Sequence, residues 1–129
     1  MSAFKVLLVD DETDFVETLV KRLRKRKLEV SAAASGKEAL EILSGSPYDV
    51  VVLDVKMPDM DGIETLRRIK KIAPLVEVIM LTGHANVEVA MQGMELGAFD
   101  YLMKPIDIDD LLYKLQDAHK KKSYSDGNL

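Results

Sequence analysis

The spacing of hydrophobic and polar residues along the chain distinguishes strands from helices. Short runs that are apolar throughout, or that alternate apolar with polar residues, mark the strands. Three runs are apolar almost throughout and rich in β-branched residues, namely Val6 to Val9, Val50 to Leu53 and Val78 to Leu81. Runs of this length and composition are typical of strands that are buried on both faces of a sheet. Two further runs, 28–32 and 99–103, alternate apolar with polar residues and therefore suit the edges of a sheet.

Helical patterns lie between these strands and after the last one. The second opens with a capping box formed by Ser35 and Glu38, the third ends before Pro74, and Gly97 is a natural end for the fourth. Apolar residues recur at helical spacing and are predicted to fill the core. These faces comprise Phe15, Val16, Leu19, Val20 and Leu23 in the first helix, Ile63, Leu66 and Ile69 in the third, Val87, Ala90, Met91 and Met94 in the fourth, and Ile108, Leu111, Leu112 and Leu115 in the fifth.

The strict alternation of strands and helices predicts an α/β fold. Short connections imply a doubly wound, five-stranded parallel sheet that is covered by five helices on both faces, with right-handed crossovers. Three apolar strands in the centre and two mixed strands at the edges favour the strand order 2-1-3-4-5. In that order the first and third strands are neighbours where the winding reverses, and open α/β sheets bind ligands beyond the carboxyl ends of the strands at that point.

Length, composition and charge exclude several classes of protein. With 129 residues and 47% hydrophobic content, the chain fits one domain with a real core, predicted over residues 1–122, followed by a flexible polar tail over 123–129. A formal net charge of −4 argues against direct nucleic-acid binding. The lack of cysteine excludes disulfides and thiolate metal sites and suits a reducing compartment. With no signal-peptide pattern and no apolar run near ~18 residues, we expect a cytoplasmic protein without membrane contact.

Polar residues follow the central strands at their carboxyl ends. Asp10 and Asp11 follow the first strand, Asp54 the third, Thr82 the fourth and Lys104 the fifth. Because parallel strands end at the same edge of a sheet, these side chains are expected to lie within reach of one another. Taken singly, each has an ordinary structural explanation, such as a helix cap or a local turn. Three clustered carboxylates, however, repel by ~4 kcal/mol per pair at ~4 Å and an effective dielectric of ~20, so the group requires a cation.

The ligand chemistry of this cluster predicts the cation and the reaction. Oxygen ligands without histidine or cysteine favour Mg²⁺, with Mn²⁺ as a substitute. Three carboxylates, one such ion and Lys104 sum to zero formal charge. A carboxylate beside a divalent cation can attack phosphorus, so Asp54 is the candidate phosphoryl acceptor. The metal and the lysine would neutralise the phosphoryl oxygens, and Thr82 can donate a hydrogen bond to the added charge.

These residues resemble the receiver domain of two-component response regulators, in particular the receivers of transcription activators. The resemblance rests on Asp10-Asp11, the segment 54–62, Thr82-Gly83 and the segment 101–105, and it spans residues 4 to about 121. It implies a flavodoxin-like receiver fold and a signalling switch that is not an enzyme. In this family a sensor histidine kinase or a histidine phosphotransfer domain donates a phosphoryl group from phosphohistidine, here to Asp54. The active conformation then controls an output domain or a partner.

The resemblance also implies which residues hold the metal and the phosphoryl group. Asp11, Asp54 and the backbone carbonyl of Lys56 are expected to hold Mg²⁺ directly, and Asp10 is expected to hold it mainly through water. Lys104 is expected to pair with the phosphoryl oxygens.

Further roles implied by the resemblance concern switching and the lifetime of the phosphorylated state. Thr82 and Tyr101 would form a switch pair that alters the surface of the fourth helix, fifth strand and fifth helix, where an output domain or a second copy would bind. Lys56 and His84, two residues after the acceptor and after Thr82, flank the path of the hydrolytic water and are predicted to set the lifetime of the aspartyl phosphate. The Lys104-Pro105 peptide is expected to be cis.

Two other classes share this architecture and fit less well. An FMN-binding electron carrier needs a phosphate loop after the first strand, where Asp10-Asp11-Glu12 would repel a phosphate. A phosphatase with an aspartate nucleophile on its first strand needs a second aspartate at the position of Glu12 and usually a cap domain. P-loop and Gly-x-Gly-x-x-Gly motifs are absent. The sequence leaves open the signal, the cognate kinase, and whether the chain is a stand-alone regulator or the amino-terminal part of a larger activator.

Overall fold

The computed structural model describes residues 4–57, 60–83 and 87–125, and in this part of the chain strands and helices alternate strictly. The strands are β1 (Lys5–Val9), β2 (Glu29–Ala33), β3 (Val50–Asp54), β4 (Glu77–Thr82) and β5 (Asp100–Met103). The helices are α1 (Thr13–Lys25), α2 (Gly36–Gly45), α3 (Gly62–Ile72), α4 (Val87–Glu95) and α5 (Ile108–Ser125).

The strands form a parallel sheet with the order β2-β1-β3-β4-β5, as the sequence predicts. Every residue of β3 and β4 is buried, whereas the edge strands β2 and β5 mix partly exposed residues into their pattern. Continuous apolar runs therefore mark the strands that are covered on both faces. Because β1 lies beside β3, the residues that follow these two strands emerge next to each other at one edge of the sheet.

Two hydrophobic clusters cover the two faces of the sheet, because alternate residues of each central strand point to opposite sides. Leu53 and Met80 belong to one cluster, with side chains from α2 and α3 such as Leu43 and Leu66. The other cluster packs α1 and α5 against the opposite face, and its members include Val52, Ile79, Leu81, Leu23, Leu111 and Leu115. The edge that carries the polar residues is thus the end of a rigid two-sided core.

Helix ends follow the capping chemistry that the sequence suggests. The Ser35 side chain accepts a hydrogen bond from the backbone N–H of Glu38 at the start of α2, which confirms that end of the helix. At the start of α3, the Asp61 side chain likewise accepts a hydrogen bond from the backbone N–H of Glu64. After α4, Gly97 adopts φ +106°, a conformation in which a Cβ would be strained.

The prediction that Met91 and Met94 fill the core is wrong. Their exposed fractions are 56% and 37%, whereas Ala90 and Gly93 of the same helix are buried. A Cβ at position 93 would already lie 3.4 Å from side-chain carbons of Met80. Small residues let α4 approach the sheet closely, so that Met80 fills the interface and the helix methionines point outward.

The last helix is longer than the sequence suggests. α5 continues to Ser125, past the domain boundary predicted at residue 122. Lys121 and Lys122 lie 3.4 Å and 3.5 Å from carboxylate oxygens of Glu77 and Asp49, and these contacts hold the end of α5 against the sheet. The rest of the predicted tail, residues 126–129, lies outside the described residues. No helix in the described part of the chain combines the length and the apolar character needed to cross a bilayer.

Candidate functional site

The structure brings the predicted acidic residues together at the carboxyl edge of the sheet. Asp10 directly follows β1 and Asp54 is the last residue of β3, and both are buried, with exposed fractions of 3% and 7%. Thr82 ends the neighbouring strand β4 and is fully buried. The strand order alone therefore places two carboxylates and a hydroxyl at the same point of the sheet.

Backbone contacts fix the direction of both buried carboxylates. The N–H of Asp10 donates to the carbonyl of Ala33 at 3.1 Å, and its carboxylate accepts from the N–H of Glu12 at 3.0 Å. The carboxylate of Asp54 accepts from the N–H of Lys56 at 3.3 Å. Each aspartate thus holds the first residues of the loop that follows its own strand.

Lys104 is the cation at the centre of this group. Its Nζ lies 2.8 Å from Asp10 Oδ2, 2.9 Å from Glu12 Oε1 and 3.8 Å from Asp54 Oδ2. Its backbone N–H donates to the carbonyl of Thr82 at 2.8 Å, which ties the end of β5 to the end of β4. The Lys104-Pro105 peptide is cis.

Glu12 is a member of the site that the sequence analysis missed. Carboxylate oxygens of Asp10, Glu12 and Asp54 all lie within 4.8 Å of one another. Asp11 is exposed and lines the same cleft as Asp54, but its carboxylate is not one of these three. The available signal was the unbroken acidic run at the end of β1, which does not reveal which side chain turns toward Lys104. The assignment of Asp11 as a direct metal ligand remains a prediction.

A cleft of about 520 Å³ gives access to the Asp54 carboxylate. It is lined by Asp11, Glu12, Asp54, Lys56, Met57, Gly83 and Lys104. Lys56, one of the two residues predicted to set the lifetime of the phosphorylated state, thus lines the same cleft as Asp54. His84, the other one, lies outside the described residues.

Burial and charge determine the ionisation of the two central groups. Burial, followed by the charge of Asp10, raises the pKa of the Asp54 carboxyl from its ordinary value of 3.8 to about 6, although Lys104 opposes the shift. Burial alone would lower the pKa of the Lys104 ammonium, but its hydrogen bonds to Asp10 and Glu12 outweigh burial and raise it. The lysine therefore stays charged at neutral pH, whereas the aspartate carries its charge at an energetic cost.

The residues present fit a bound Mg²⁺ ion. Three converging carboxylates and one ammonium leave a charge of about −2, and a divalent cation would neutralise it. Mg²⁺ binds hard oxygen ligands and keeps several waters, so a few carboxylates beside an open cleft suit it. Among the residues that the structure describes, the oxygens of Asp10, Glu12 and Asp54 converge closely enough to hold a metal ion.

The two residues of the predicted switch pair lie on the same face of the sheet. The Thr82 hydroxyl donates to the carbonyl of Gly83 at 3.0 Å. In the sheet Tyr101 lies opposite Met80, and Thr82 lies opposite Met103, so Thr82 and Tyr101 are on the same face. Tyr101 is only partly buried and packs against the cluster that contains Met80.

Comparison with known proteins identifies the family. Residues 6–116 match the model of the response regulator receiver domain, and the chain belongs to this family of two-component signalling proteins. Receiver domains of this family partner with sensor kinases and output domains. Their phosphorylation controls signalling.

Relatives of this chain include a transcriptional regulatory protein and a response regulator protein. The chain is 40% identical over 113 residues to transcriptional regulatory protein ZraR of Escherichia coli (strain K12), with 88% of this chain and 26% of ZraR aligned. It is 38% identical over 111 residues to response regulator protein PilR of Pseudomonas aeruginosa, with 86% and 25% aligned. The chain thus spans about a quarter of the length of these relatives.

Solved structures of receiver domains have the same fold. A response regulator receiver domain protein from Clostridium thermocellum superposes with a TM-score of 0.90 at 38% identity, covering 94% of this chain and 98% of that chain. A CheY-like receiver domain protein from Methanospirillum hungatei JF-1 gives a TM-score of 0.90 at 31% identity, covering 96% and 99%.

The raised pKa of Asp54 predicts a pH-dependent gain in stability for Asp54→Asn. A carboxyl that titrates near pH 6 when folded and near 3.8 when unfolded has no effect on stability below pH 3.8. Between these values the folded state loses stability as pH rises, and above pH 6 the full penalty of up to about 3 kcal/mol applies. Without divalent cations, we expect Asp54→Asn to be about 1–3 kcal/mol more stable than wild type near pH 8.

Urea unfolding of both proteins in a chelator at several pH values measures this difference. Other titrating groups are common to both proteins and largely cancel. The stability difference should shrink toward zero near pH 4, and added Mg²⁺ should reduce it at high pH by stabilising the wild type. A difference that stays constant from acid to alkaline pH would contradict the assigned ionisation of Asp54.

Proposed function

We propose that Asp54 accepts a phosphoryl group from a phosphohistidine of a sensor kinase or histidine phosphotransfer protein in a Mg²⁺-dependent reaction. Phosphorylation then shifts the domain to an active conformation that controls an output domain or a partner. The observation that carries this proposal is the position of Lys104, whose ammonium contacts Asp10 and Glu12 and lies 3.8 Å from the buried carboxylate of Asp54. A nucleophile, a cation and an open cleft thus meet at one point.

The transfer needs a nucleophile and charge neutralisation, and no separate base. A carboxylate oxygen of Asp54 forms the new bond to phosphorus while the bond from phosphorus to the donor imidazole nitrogen breaks. The electron pair of the broken bond stays on the imidazole, which can take up a proton from water. A bound Mg²⁺ would supply positive charge to the phosphoryl oxygens, and Asp10, Asp11, Asp54 and the carbonyl of Lys56 are the groups proposed to hold it.

Lys104 has to change partners during this reaction. It is held by Asp10 and Glu12 at hydrogen-bonding distance, and Asp54 lies about 1 Å further away. A phosphoryl group on Asp54 replaces one carboxylate charge by roughly −1.5 to −2. We infer that Lys104 then turns from Glu12 to the phosphoryl oxygens, because the exposed carboxylate of Glu12 can be hydrated instead.

Thr82 and Tyr101 are proposed to pass this change to the surface. The Thr82 hydroxyl donates to the adjacent carbonyl of Gly83, and a phosphoryl oxygen would offer it a stronger, charge-assisted hydrogen bond. Its movement would leave space for the partly buried Tyr101 ring. The surface of α4, β5 and α5 would then change its affinity for an output domain or a second copy, as a shift in population between two conformations.

The relatives are much longer than the segment that aligns with this chain, which bears on the output that the domain controls. The chain aligns with only about a quarter of the regulators ZraR and PilR. We propose that the output is transcription activation by a domain of that kind, on the same or on another chain.

Phosphoryl transfer from a small donor tests the acceptor. Incubated with Mg²⁺ and a small acyl phosphate, the wild type should gain a single phosphoryl adduct by intact mass, and Asp54→Asn should gain none. Asp49→Asn is a matched control, since Asp49 lies at the opposite end of β3, and it should react as the wild type does. A chelator should abolish the adduct. An adduct on Asp54→Asn, or an unmodified wild type, would refute the proposed acceptor.

Replacing Thr82 tests the switch. Thr82→Ala should still be phosphorylated, but phosphorylation-dependent dimerisation or partner binding should weaken by about tenfold or more, because a charge-assisted hydrogen bond contributes about 1.5–3 kcal/mol. Thr82→Ser keeps the hydroxyl and should behave as the wild type. Analytical ultracentrifugation of the phosphorylated proteins measures dimerisation. If Thr82→Ala retains the full response, the proposed switch is wrong.

The lifetime of the phosphorylated state tests the roles of Lys56 and His84. In the double variant Lys56→Ala, His84→Ala, the smaller side chains should give water freer access to the aspartyl phosphate. Its decay should become faster by up to about tenfold, which corresponds to lowering the hydrolysis barrier by about 1.4 kcal/mol. The rate of its formation should change little. Loss of the adduct with time after removal of the donor gives the decay rate, and Lys25→Ala on distant α1 is the control. An unchanged decay rate would reject these roles.

A further inference from the structure

The first residue of α3 lies in direct contact with the backbone that follows the phosphoryl acceptor. The N–H of Gly62 donates a 2.9 Å hydrogen bond to the carbonyl of Val55, the residue after Asp54. A Cβ at position 62 would lie 2.5 Å from the Cα of Val55 and 2.9 Å from its carbonyl oxygen, closer than real Cβ contacts. Since these are backbone atoms, no change in the Val55 side chain could make room. Only glycine permits this approach of helix to strand end.

The backbone of Val55 is held from both sides. Its N–H donates to the carbonyl of Leu81 in β4 at 3.0 Å, and its carbonyl accepts from Gly62 in α3. The side chain of Val55 is buried, with an exposed fraction of 4%. The next residue, Lys56, donates its N–H to the carboxylate of Asp54. The direction of that carboxylate and the position of the Lys56 carbonyl therefore follow from where Val55 is held.

The start of α3 is itself fixed by its cap. The carboxylate of Asp61 accepts from the N–H of Glu64 at 2.8 Å, and its carbonyl accepts from the Thr65 hydroxyl at 2.9 Å. These hydrogen bonds hold the first turn of α3 together, so Gly62 cannot move relative to the rest of that turn without breaking them. A side chain at position 62 would therefore displace the backbone next to Asp54.

We propose that Gly62 is a positioning residue for phosphoryl acceptance. By letting α3 begin against the backbone of Val55, it fixes the Asp54 carboxylate and the Lys56 carbonyl in the arrangement that binds Mg²⁺. The inference rests on the proposed function, in which these two groups hold the metal beside the acceptor. Gly62 touches neither metal nor phosphoryl group and acts through Val55.

Gly62→Ala is the direct test. We expect a folded variant whose Mg²⁺ affinity, measured by titration calorimetry, is about tenfold weaker, the size of effect seen when groups that orient metal ligands are lost. In metal-free protein, amide hydrogen exchange at Val55 and Lys56 should become faster, because the hydrogen bonds to Leu81 and Asp54 loosen. Phosphorylation by a small acyl phosphate should slow mainly at low Mg²⁺ and recover in part at high Mg²⁺.

Two controls separate positioning from loss of stability. Gly45→Ala, at the end of α2, meets no described atom within 4 Å and should leave both Mg²⁺ affinity and exchange unchanged. Leu115→Ala leaves a cavity in the hydrophobic cluster on the other face of the sheet and should reduce stability but not Mg²⁺ affinity. If Leu115→Ala weakens Mg²⁺ binding as much as Gly62→Ala does, general loosening explains the effect and the proposal fails.

A second set of variants tests the same idea without a clash, in case Gly62→Ala does not fold. Asp61→Ala removes the cap of α3 and should weaken Mg²⁺ binding and speed exchange at Val55. Asp61→Asn removes the charge but can still cap the helix, so it should stay close to wild type. Ser35→Ala removes the equivalent cap of α2 and should have no effect on Mg²⁺ binding. Wild-type affinity and exchange in Asp61→Ala would overturn the proposal.

The outcomes distinguish this inference from the proposed function. If the wild type binds Mg²⁺ and accepts phosphoryl, and Gly62→Ala does both equally well with unchanged exchange, the positioning role is wrong and the proposed function stands. If the wild type itself takes up neither Mg²⁺ nor phosphoryl, the proposed function is wrong, and the positioning role falls with it.

Discussion

Repulsion between carboxylates at one edge of the sheet is the constraint on which the site depends. The hydrophobic sequences of β1 and β3 make them central neighbours, and this pairing forces Asp10 and Asp54 together in a buried position. Burial and the charge of Asp10 raise the pKa of Asp54 to about 6. Lys104, delivered from β5 and bonded through its backbone to the end of β4, compensates only part of this charge. The remaining negative charge is what a divalent cation can neutralise.

The surrounding elements keep this strained group in place. β4 and α3 hold the backbone after Asp54 from opposite sides through Leu81 and Gly62, and the cap formed by Asp61 fixes the start of α3. In the proposed switch, a new charge on Asp54 would therefore act on groups outside its own strand. Lys104 and the hydroxyl of Thr82 are the groups proposed to move.

Sequence reasoning predicts the strand order and the location of the site, because both follow from local hydrophobic patterns and from the shared direction of parallel strands. It does not predict that Glu12 reaches Lys104, since the direction of side chains at the start of α1 depends on the packed helix. It also fails for Met91 and Met94, whose exposure follows from the close approach that Gly93 allows. Near the end of α5, Lys121 contacts Glu77 from 44 residues away in the chain, and a local pattern cannot predict such a contact.

Carboxylates from separate strands are proposed to share a divalent cation at this edge of the sheet. A high-resolution crystal structure with Mn²⁺ in place of Mg²⁺ would locate the ion by its anomalous scattering, without assumptions about its ligands. We expect one strong peak within bonding distance of Asp54 and of at least one acidic residue from 10–12, with Lys104 beside it. A fully occupied ion elsewhere, or an Asp54 carboxylate without metal at saturating Mn²⁺, would contradict it.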